Sequence, residues 1–171
     1  KSDGRDVALT HRSINILKKF GIWKNINSKI ISPIKEARIL DGNSSKYLNF
    51  DYKKTVKDSL GYLVSNQIIR KAIYKKIQNS NFVKIYTNKE VSKIISDKSF
   101  SKVFLKNGKT LESKLTVVAD GRLSKIRDKL GIYANKTSFG TAMSVFRMKH
   151  ELENYNIATE YFHYNQTLAI L

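Results

Sequence analysis

TVVADGRLSKIRDKLGI, from Thr116 to Ile132, joins an apolar run to a helical pattern through an acid and a glycine. The continuous apolar residues 117–119 predict a strand buried on both faces. Ser124 and Arg127 then follow at helical spacing. A buried strand that leads into a helix is a crossover connection, which favours an α/β arrangement over a hairpin at this point.

Asp120 and Gly121 lie at this strand-to-helix junction, where open α/β sheets bind their ligands. Glycine lets the backbone approach a ligand closely, and a helix N-terminus favours a phosphate group. The carboxylate could accept hydrogen bonds from a ribose hydroxyl or from backbone N–H groups. An Asp-Gly pair is also common in structural turns, so this stretch alone leaves a nucleotide-type ligand and a plain turn both open.

The remaining segments alternate between helical and strand patterns. Residues 6–26 carry apolar side chains at helical intervals, with Thr10 or Ser13 as the predicted cap and Gly21 as the predicted end. Residues 60–80 predict a strand that ends near Val64 and passes directly into an amphipathic helix. Strand and helix therefore alternate at two places in the chain.

Hairpin signals account for the other strands. Asp41-Gly42-Asn43 separates two alternating segments near residues 33–52, and Asn107-Gly108 separates two more. Residues 140–150 and 156–171 predict antiparallel strands with a turn near Asn165-Gln166. We therefore predict a mixed α/β fold in which antiparallel strands lead into a second sheet.

Composition limits the class of protein. The chain has 171 residues, 41% of them hydrophobic, and no cysteine, which excludes disulfides and cysteine-ligated metal sites. No apolar run approaches the roughly 20 residues of a membrane span. The three histidines have no metal-ligand spacing, and no Walker loop or nucleophile elbow is present. We predict no metal site, and we name no catalytic acid or base.

The formal net charge of +18 has two readings. It could serve a polyanionic partner, either nucleic acid or an anionic membrane surface. It could also reflect a drift of composition towards Lys, Asn and Ile, which the small share of arginine and the scattered lysines favour.

Taken together, four stretches resemble the FAD-dependent aromatic hydroxylases of ubiquinone biosynthesis, which share the p-hydroxybenzoate hydroxylase fold. They occur in the family's order and cover nearly the whole chain. They are DGRDVALTHRSINILKKFGIW (3–23), LGYLVSNQIIRKAI (60–73), LTVVADGRLSKIRDKLGI (115–132) and ATEYFHYNQTLAIL (158–171). The resemblance implies that residues 1–133 belong to the FAD/NAD(P)-binding domain, with inserted strands near 33–52. It implies that residues 134–171 begin the substrate-binding sheet.

The resemblance also implies a set of cofactor-binding residues. Arg5 would lie near the flavin or its pyrophosphate, and Asp120 and Gly121 near the ribose and pyrophosphate, in a motif that the family also links to NAD(P)H. Arg127 would anchor its helix. The start of the crossover helix would lie close to the ribityl chain, and its residues are Ser65, Asn66, Gln67 and, one turn further in, Arg70. Taken without the resemblance, Asn66, Gln67 and Arg70 are equally typical of a helix cap and two solvated side chains.

Two family motifs are missing from this sequence. The Gly-x-Gly-x-x-Gly fingerprint would precede Lys1, and the Gly-Asp motif that meets the flavin pyrophosphate would follow Leu171. We therefore expect the chain to be an internal fragment of a longer protein, unable to bind FAD tightly or to turn over by itself. Its sheet would also lack the first Rossmann strand.

The function that the resemblance implies is hydroxylation of an aromatic ring with NAD(P)H and O2, on a polyprenyl-phenol intermediate. Such a substrate would bring a cytoplasmic enzyme into peripheral contact with the inner membrane. A different flavoprotein of the same fold, a reductase or a halogenase, is one alternative. A small basic nucleic-acid-binding module is another, although we expect no nucleic-acid partner.

Overall fold

The computed structural model describes residues 4–163 and 165–171, and the chain divides into two compact units. The first comprises residues 1–83 and 143–171, and the second comprises residues 84–142. In the described part of the chain, no helix is both long and apolar enough to cross a bilayer. The elements in chain order are β1 (Asp6–Leu9), α1 (His11–Lys19), β2 (Ser32–Ile34), β3 (Glu36–Asp41), β4 (Tyr47–Asp51), β5 (Gly61–Ser65), α2 (Asn66–Gln78), β6 (Val91–Ser96), β7 (Ser101–Leu105), β8 (Thr110–Ser113), α3 (Lys125–Lys129), β9 (Ile157–His163) and β10 (Gln166–Ile170).

Helix α1 forms where its sequence signals place it. The Thr10 hydroxyl accepts a hydrogen bond from the Ser13 backbone N–H at 3.3 Å, which caps the first turn. Gly21 follows the helix with φ +66°, a conformation that glycine adopts without steric cost. The predicted helix and its cap are confirmed. The four-residue strand β1 just before it was not predicted, since so short a segment shows little alternation.

The first unit has its core beneath a three-stranded antiparallel sheet in the order β1-β5-β2. Val64 of β5 is 1% exposed and packs with Ile26 and Ala72. Gly61 permits the tight β1–β5 contact, because a Cβ there would lie 2.7 Å from the Leu9 carbonyl oxygen. The predicted passage from strand into amphipathic helix is confirmed, with Ile68 of α2 among the side chains that pack on this core.

A second sheet in the same unit has the order β10-β9-β3-β4. Two of the predicted hairpins lie in this sheet: β3 pairs antiparallel with β4, and β9 pairs antiparallel with β10. The sequence did not predict the parallel pairing of β3 with β9, in which Glu36 lies opposite Ile157. The pairing joins residues more than a hundred positions apart, for which a single sequence carries no local signal.

The second unit is built on the antiparallel sheet β6-β7-β8. Asn107-Gly108 makes the predicted turn between β7 and β8, with Gly108 at φ +84°. Ser124 caps α3 by accepting a hydrogen bond from the Arg127 backbone N–H at 3.0 Å. The expected mixed α/β fold with antiparallel strands is confirmed.

Two predicted strands are wrong. Residues 117–119 join no sheet within residues 4–163 and 165–171, and Val117 is 76% exposed. A strand needs at least one neighbouring strand to pair its backbone groups, and the described chain supplies none here. Residues 140–150 are likewise irregular and exposed. In both segments a local apolar pattern alone does not produce a strand, because pairing depends on distant neighbours.

Candidate functional site

Three of the predicted site residues meet at the start of α2. Arg5 directly precedes β1, whose pairing with β5 places Asp6 opposite Ser65. The Asn66 backbone N–H donates to the Arg5 carbonyl oxygen at 3.0 Å. The antiparallel β1–β5 pair therefore brings Arg5, Ser65 and Asn66 to one end of the sheet, although about 60 positions separate them in the sequence.

The N-terminus of α2 lacks a side-chain cap. Ser65 has the extended backbone of an N-cap, at φ −60° and ψ 129°, yet its side chain forms no capping hydrogen bond. Helix N-termini carry backbone N–H groups without intrahelical acceptors. Apart from the Asn66 N–H, which donates to the Arg5 carbonyl, the first turn of α2, a helix of 13 residues, therefore retains donors that an anionic ligand could engage.

Gln67 and Arg70 are exposed in the first two turns of α2. Arg147 donates from Nη2 to the Asp6 carboxylate, so the acid next to Arg5 is neutralised by an ion pair. Sequence reasoning missed this pair, because 141 positions separate its members and no local signal connects them. Its consequence is that the Arg5 end of the sheet carries less negative charge than the sequence suggests.

The second unit holds Asp120 and Gly121 in an exposed loop before α3. Gly121 has φ +90°, and no atom lies within 4 Å of a Cβ built there. Glycine is therefore required at this position by its backbone conformation and not by crowding. The Ser124 N–H donates to the Gly121 carbonyl oxygen at 3.1 Å, which closes the loop onto the helix.

Arg127 anchors this loop to α3. Its Nη1 donates to the Arg122 carbonyl oxygen at 3.3 Å, and its Nη2 lies 3.3 Å from Oδ1 of Asp128. Its Nε is buried without a hydrogen-bond partner in the described chain. Lys136, 3.2 Å away, and the Arg127 guanidinium hold the pKa of Asp128 below its ordinary value. These contacts agree with the anchoring role expected for Arg127.

Metal-ligating chemistry is not built into the residues that the structure describes. No group of three or more His, Cys, Asp or Glu side chains among them could hold a metal ion. His11 instead makes a structural contact, with Nε2 lying 2.8 Å from the Ser59 carbonyl oxygen. The candidate site of the first unit is thus a set of hydrogen-bond donors at the start of α2, with Arg5 held beside it through its backbone carbonyl.

A family model for FAD binding domains matches residues 1–167 of the chain. The chain belongs to the FAD-binding domain family. The resemblance read from the four sequence stretches is thereby confirmed. The predicted alternative of a nucleic-acid module is not favoured.

Curated members of the family that resemble the chain are ubiquinone hydroxylases. The chain is 38% identical over 173 residues to ubiquinone hydroxylase UbiM of Neisseria meningitidis, covering 99% of this chain and 38% of that protein. It is 27% identical to ubiquinone hydroxylase UbiL of Rhodospirillum rubrum, covering 94% of this chain and 37% of that protein. The chain therefore spans less than half the length of these relatives.

Solved structures support the fold. The 2,6-dihydroxypyridine-3-hydroxylase of Arthrobacter nicotinovorans superposes with a TM-score of 0.63 at 14% identity, covering 99% of this chain and 42% of that one. A PqsL mutant of P. aeruginosa gives a TM-score of 0.67 at 18% identity, covering 81% of this chain and 38% of that one. At these identities the likeness establishes the fold alone.

The donors at the start of α2 suit a cofactor such as FAD. A diphosphate is best bound by cations and by backbone N–H groups at a helix N-terminus. The uncapped first turn of α2 offers backbone N–H groups, and the exposed residue Arg5, whose carbonyl oxygen accepts from the Asn66 N–H, is the neighbouring cationic residue. The neighbouring hydroxyl of Ser65 and the amides of Asn66 and Gln67 can hydrogen-bond a polyol chain. The residues present therefore fit the group that the family binds.

Proposed function

We propose that the protein is an FAD-dependent monooxygenase that hydroxylates an electron-rich aromatic ring. The observation that carries this proposal is the match of residues 1–167 to FAD binding domains, joined to 38% identity with a ubiquinone hydroxylase. FAD reduced by NAD(P)H supplies the oxygen chemistry when bound, and the protein supplies binding, orientation and exclusion of water. The substrate class would be a polyprenyl-phenol intermediate of ubiquinone biosynthesis.

The residues of the first unit would bind the cofactor. Arg5 would neutralise a diphosphate oxygen, and the first-turn N–H groups of α2 would donate to the same anionic group. Ser65, Asn66 and Gln67 would hydrogen-bond the ribityl chain. Arg70 lies one turn further along α2 and would contribute a weaker, longer-range attraction.

The loop of the second unit would serve the nucleotide end of a cofactor. Asp120 would accept a hydrogen bond from a ribose hydroxyl, and Gly121 would allow the backbone to approach a pyrophosphate. Arg127 would act as a positioning residue, since its guanidinium is tied to the carbonyl of Arg122 within the loop. NAD(P)H is the co-substrate that this motif would serve in addition to FAD.

The domain boundary near residue 133 stays a prediction. We propose that residues 1–133 belong chiefly to cofactor binding, with the strands near 33–52 inserted, and that residues 134–171 begin the substrate-binding sheet. The parallel pairing of β3 with β9 supports a common sheet for the strands near 33–52 and those of residues 134–171. A lipid-like substrate would also bring the protein from the cytoplasm into peripheral contact with the inner membrane.

The test of the proposed reaction is the source of the oxygen in the product. The protein that carries this sequence, supplied with FAD, NAD(P)H, heavy-isotope O2 and a short-chain polyprenyl phenol, should release a phenol that carries one heavy oxygen atom. The product is measured by mass spectrometry. Incorporation of oxygen from water instead, or reduction of the prenyl chain without added oxygen, would contradict the proposal. The second outcome would favour a reductase of the same fold.

A further inference from the structure

The helices of the first unit carry no acidic residues. Neither residues 7–35 nor residues 59–83 contain an aspartate or a glutamate. The same two segments carry ten cationic side chains, which are Arg12, Lys18, Lys19, Lys24, Lys29, Lys35, Arg70, Lys71, Lys75 and Lys76. These segments include both α1 and α2. Their ten positive charges are balanced by no negative charge, whereas the chain as a whole has 14 acidic residues against 32 basic ones.

Lysines from α2 and from the 3₁₀ turn Trp23–Asn25 approach Gly21, which follows the C-cap of α1. The Nζ atom of Lys76 and the Cε atom of Lys24 lie 3.7 Å and 3.8 Å from the position of a Cβ built on Gly21. Lys18 and Lys19 belong to the last turn of α1, directly before this point. We call these four lysines and Phe20 the Gly21 patch. The 3₁₀ turn Trp23–Asn25 contacts both helices and holds the patch together.

The charges of the Gly21 patch are not neutralised within the described residues. Its lysines take part in none of the ion pairs found there, which involve Glu36, Glu90, Glu112, Asp128 and Asp6. Ammonium groups that lie close together without a carboxylate repel one another. Such an arrangement costs stability in the free protein, and an anionic partner would offset that cost.

Exposed apolar side chains accompany these charges. Phe20 at the end of α1 is 61% exposed, and Ile16, one turn earlier on the same helix, is 49% exposed. Phosphate groups of nucleic acid would engage the lysines but leave these side chains in water. An anionic bilayer engages both, because the lysines reach the headgroups while apolar side chains enter the boundary with the acyl chains. Lysine in place of arginine at the patch also argues against specific phosphate or base readout.

We infer that the Gly21 patch docks the protein on an anionic phospholipid surface. The inference deepens the membrane contact of the proposed function by assigning it to one face of α1, the turn at Trp23–Asn25 and α2. It rests on charge and exposure, and it does not require any particular flavin chemistry. The anionic leaflet attracts polybasic segments, and the attraction weakens as salt screens it.

The experiment is co-sedimentation of the protein with phosphatidylcholine vesicles, with or without phosphatidylglycerol. We expect binding only to the anionic vesicles, and binding that falls as NaCl is raised. The triple variant Lys19→Glu, Lys24→Glu, Lys76→Glu should bind about 100-fold more weakly, since each lysine near such a surface contributes roughly a factor of five. Phe20→Ala should weaken binding several-fold at unchanged charge.

A matched control is the triple variant Lys46→Glu, Lys53→Glu, Lys54→Glu. It makes the same change of charge at exposed positions that flank strand β4. It should retain vesicle binding within a few-fold. Equal loss in both variants, or binding to neutral vesicles, would overturn the docking face. So would a Gly21-patch variant that loses affinity for nucleic acid but not for vesicles.

Flavin content and NAD(P)H oxidation in the same preparations separate this inference from the proposed function. A protein that oxidises NAD(P)H through bound flavin but ignores anionic vesicles would overturn the docking face and leave the monooxygenase intact. A protein without flavin that still binds the vesicles through the Gly21 patch would overturn the monooxygenase and leave the docking face intact. Equal melting temperatures of the two triple variants would show that neither has simply unfolded.

Discussion

Replacing Val64 with aspartate is expected to destabilise the protein by about 4 kcal/mol or more, because the change buries a charge without a partner. Val64 is 1% exposed at the centre of the cluster beneath the β1-β5-β2 sheet. The measurement is the midpoint of urea unfolding followed by circular dichroism. Val56→Asp is the matched control, because Val56 is fully exposed and the same substitution there should cost less than about 0.5 kcal/mol. Similar losses in the two variants would contradict the position assigned to the core.

Arg5→Ala is expected to weaken FAD binding by about 10- to 100-fold, which is the effect of removing a charge-assisted contact to a diphosphate. The affinity is measured by titrating the apo form of the full protein that carries this sequence with FAD and following the quenching of flavin fluorescence. Arg12→Ala is the control, since Arg12 is an exposed arginine of α1 and lies outside the proposed site. Its affinity for FAD should stay within about twofold of the parent, well under 1 kcal/mol. An Arg5 variant with unchanged affinity would remove Arg5 from the site.

Local signals in the sequence predicted the elements whose stability is local. The cap at Thr10, the turn at Asn107-Gly108 and the cap at Ser124 each depend on residues within a few positions of one another. The hydrogen bonds they form require no knowledge of the rest of the chain. For that reason, α1, the β7–β8 hairpin and α3 appear where their patterns place them.

Elements that depend on distant partners were less predictable. Residues 117–119 have the composition of a buried strand, yet a strand forms only where a neighbouring strand pairs with it, and none does so within the described residues. The parallel pairing of β3 with β9 has the same non-local origin. A hydrophobic pattern shows that a segment is able to form a strand, but the strand forms only if another strand pairs with it.

In the candidate site, too, the local features could be predicted and the long-range proximity could not. The sequence pattern predicted that a strand passes directly into an amphipathic helix near residue 65. The location of Ser65 and Asn66 at the junction of β5 and α2 could therefore be predicted. Their proximity to Arg5 could not, because it follows from the β1–β5 register. The family resemblance implies that these residues share a cofactor, and the hydrogen bond from the Asn66 N–H to the Arg5 carbonyl brings their backbones together.

The central claim is tested most directly by the visible absorption spectrum of the protein that carries this sequence. We expect the spectrum of an oxidised flavin, bleached by NAD(P)H without oxygen and restored when air is admitted. A colourless protein that takes up no added FAD would contradict the account, as would a bound flavin that NAD(P)H does not reduce.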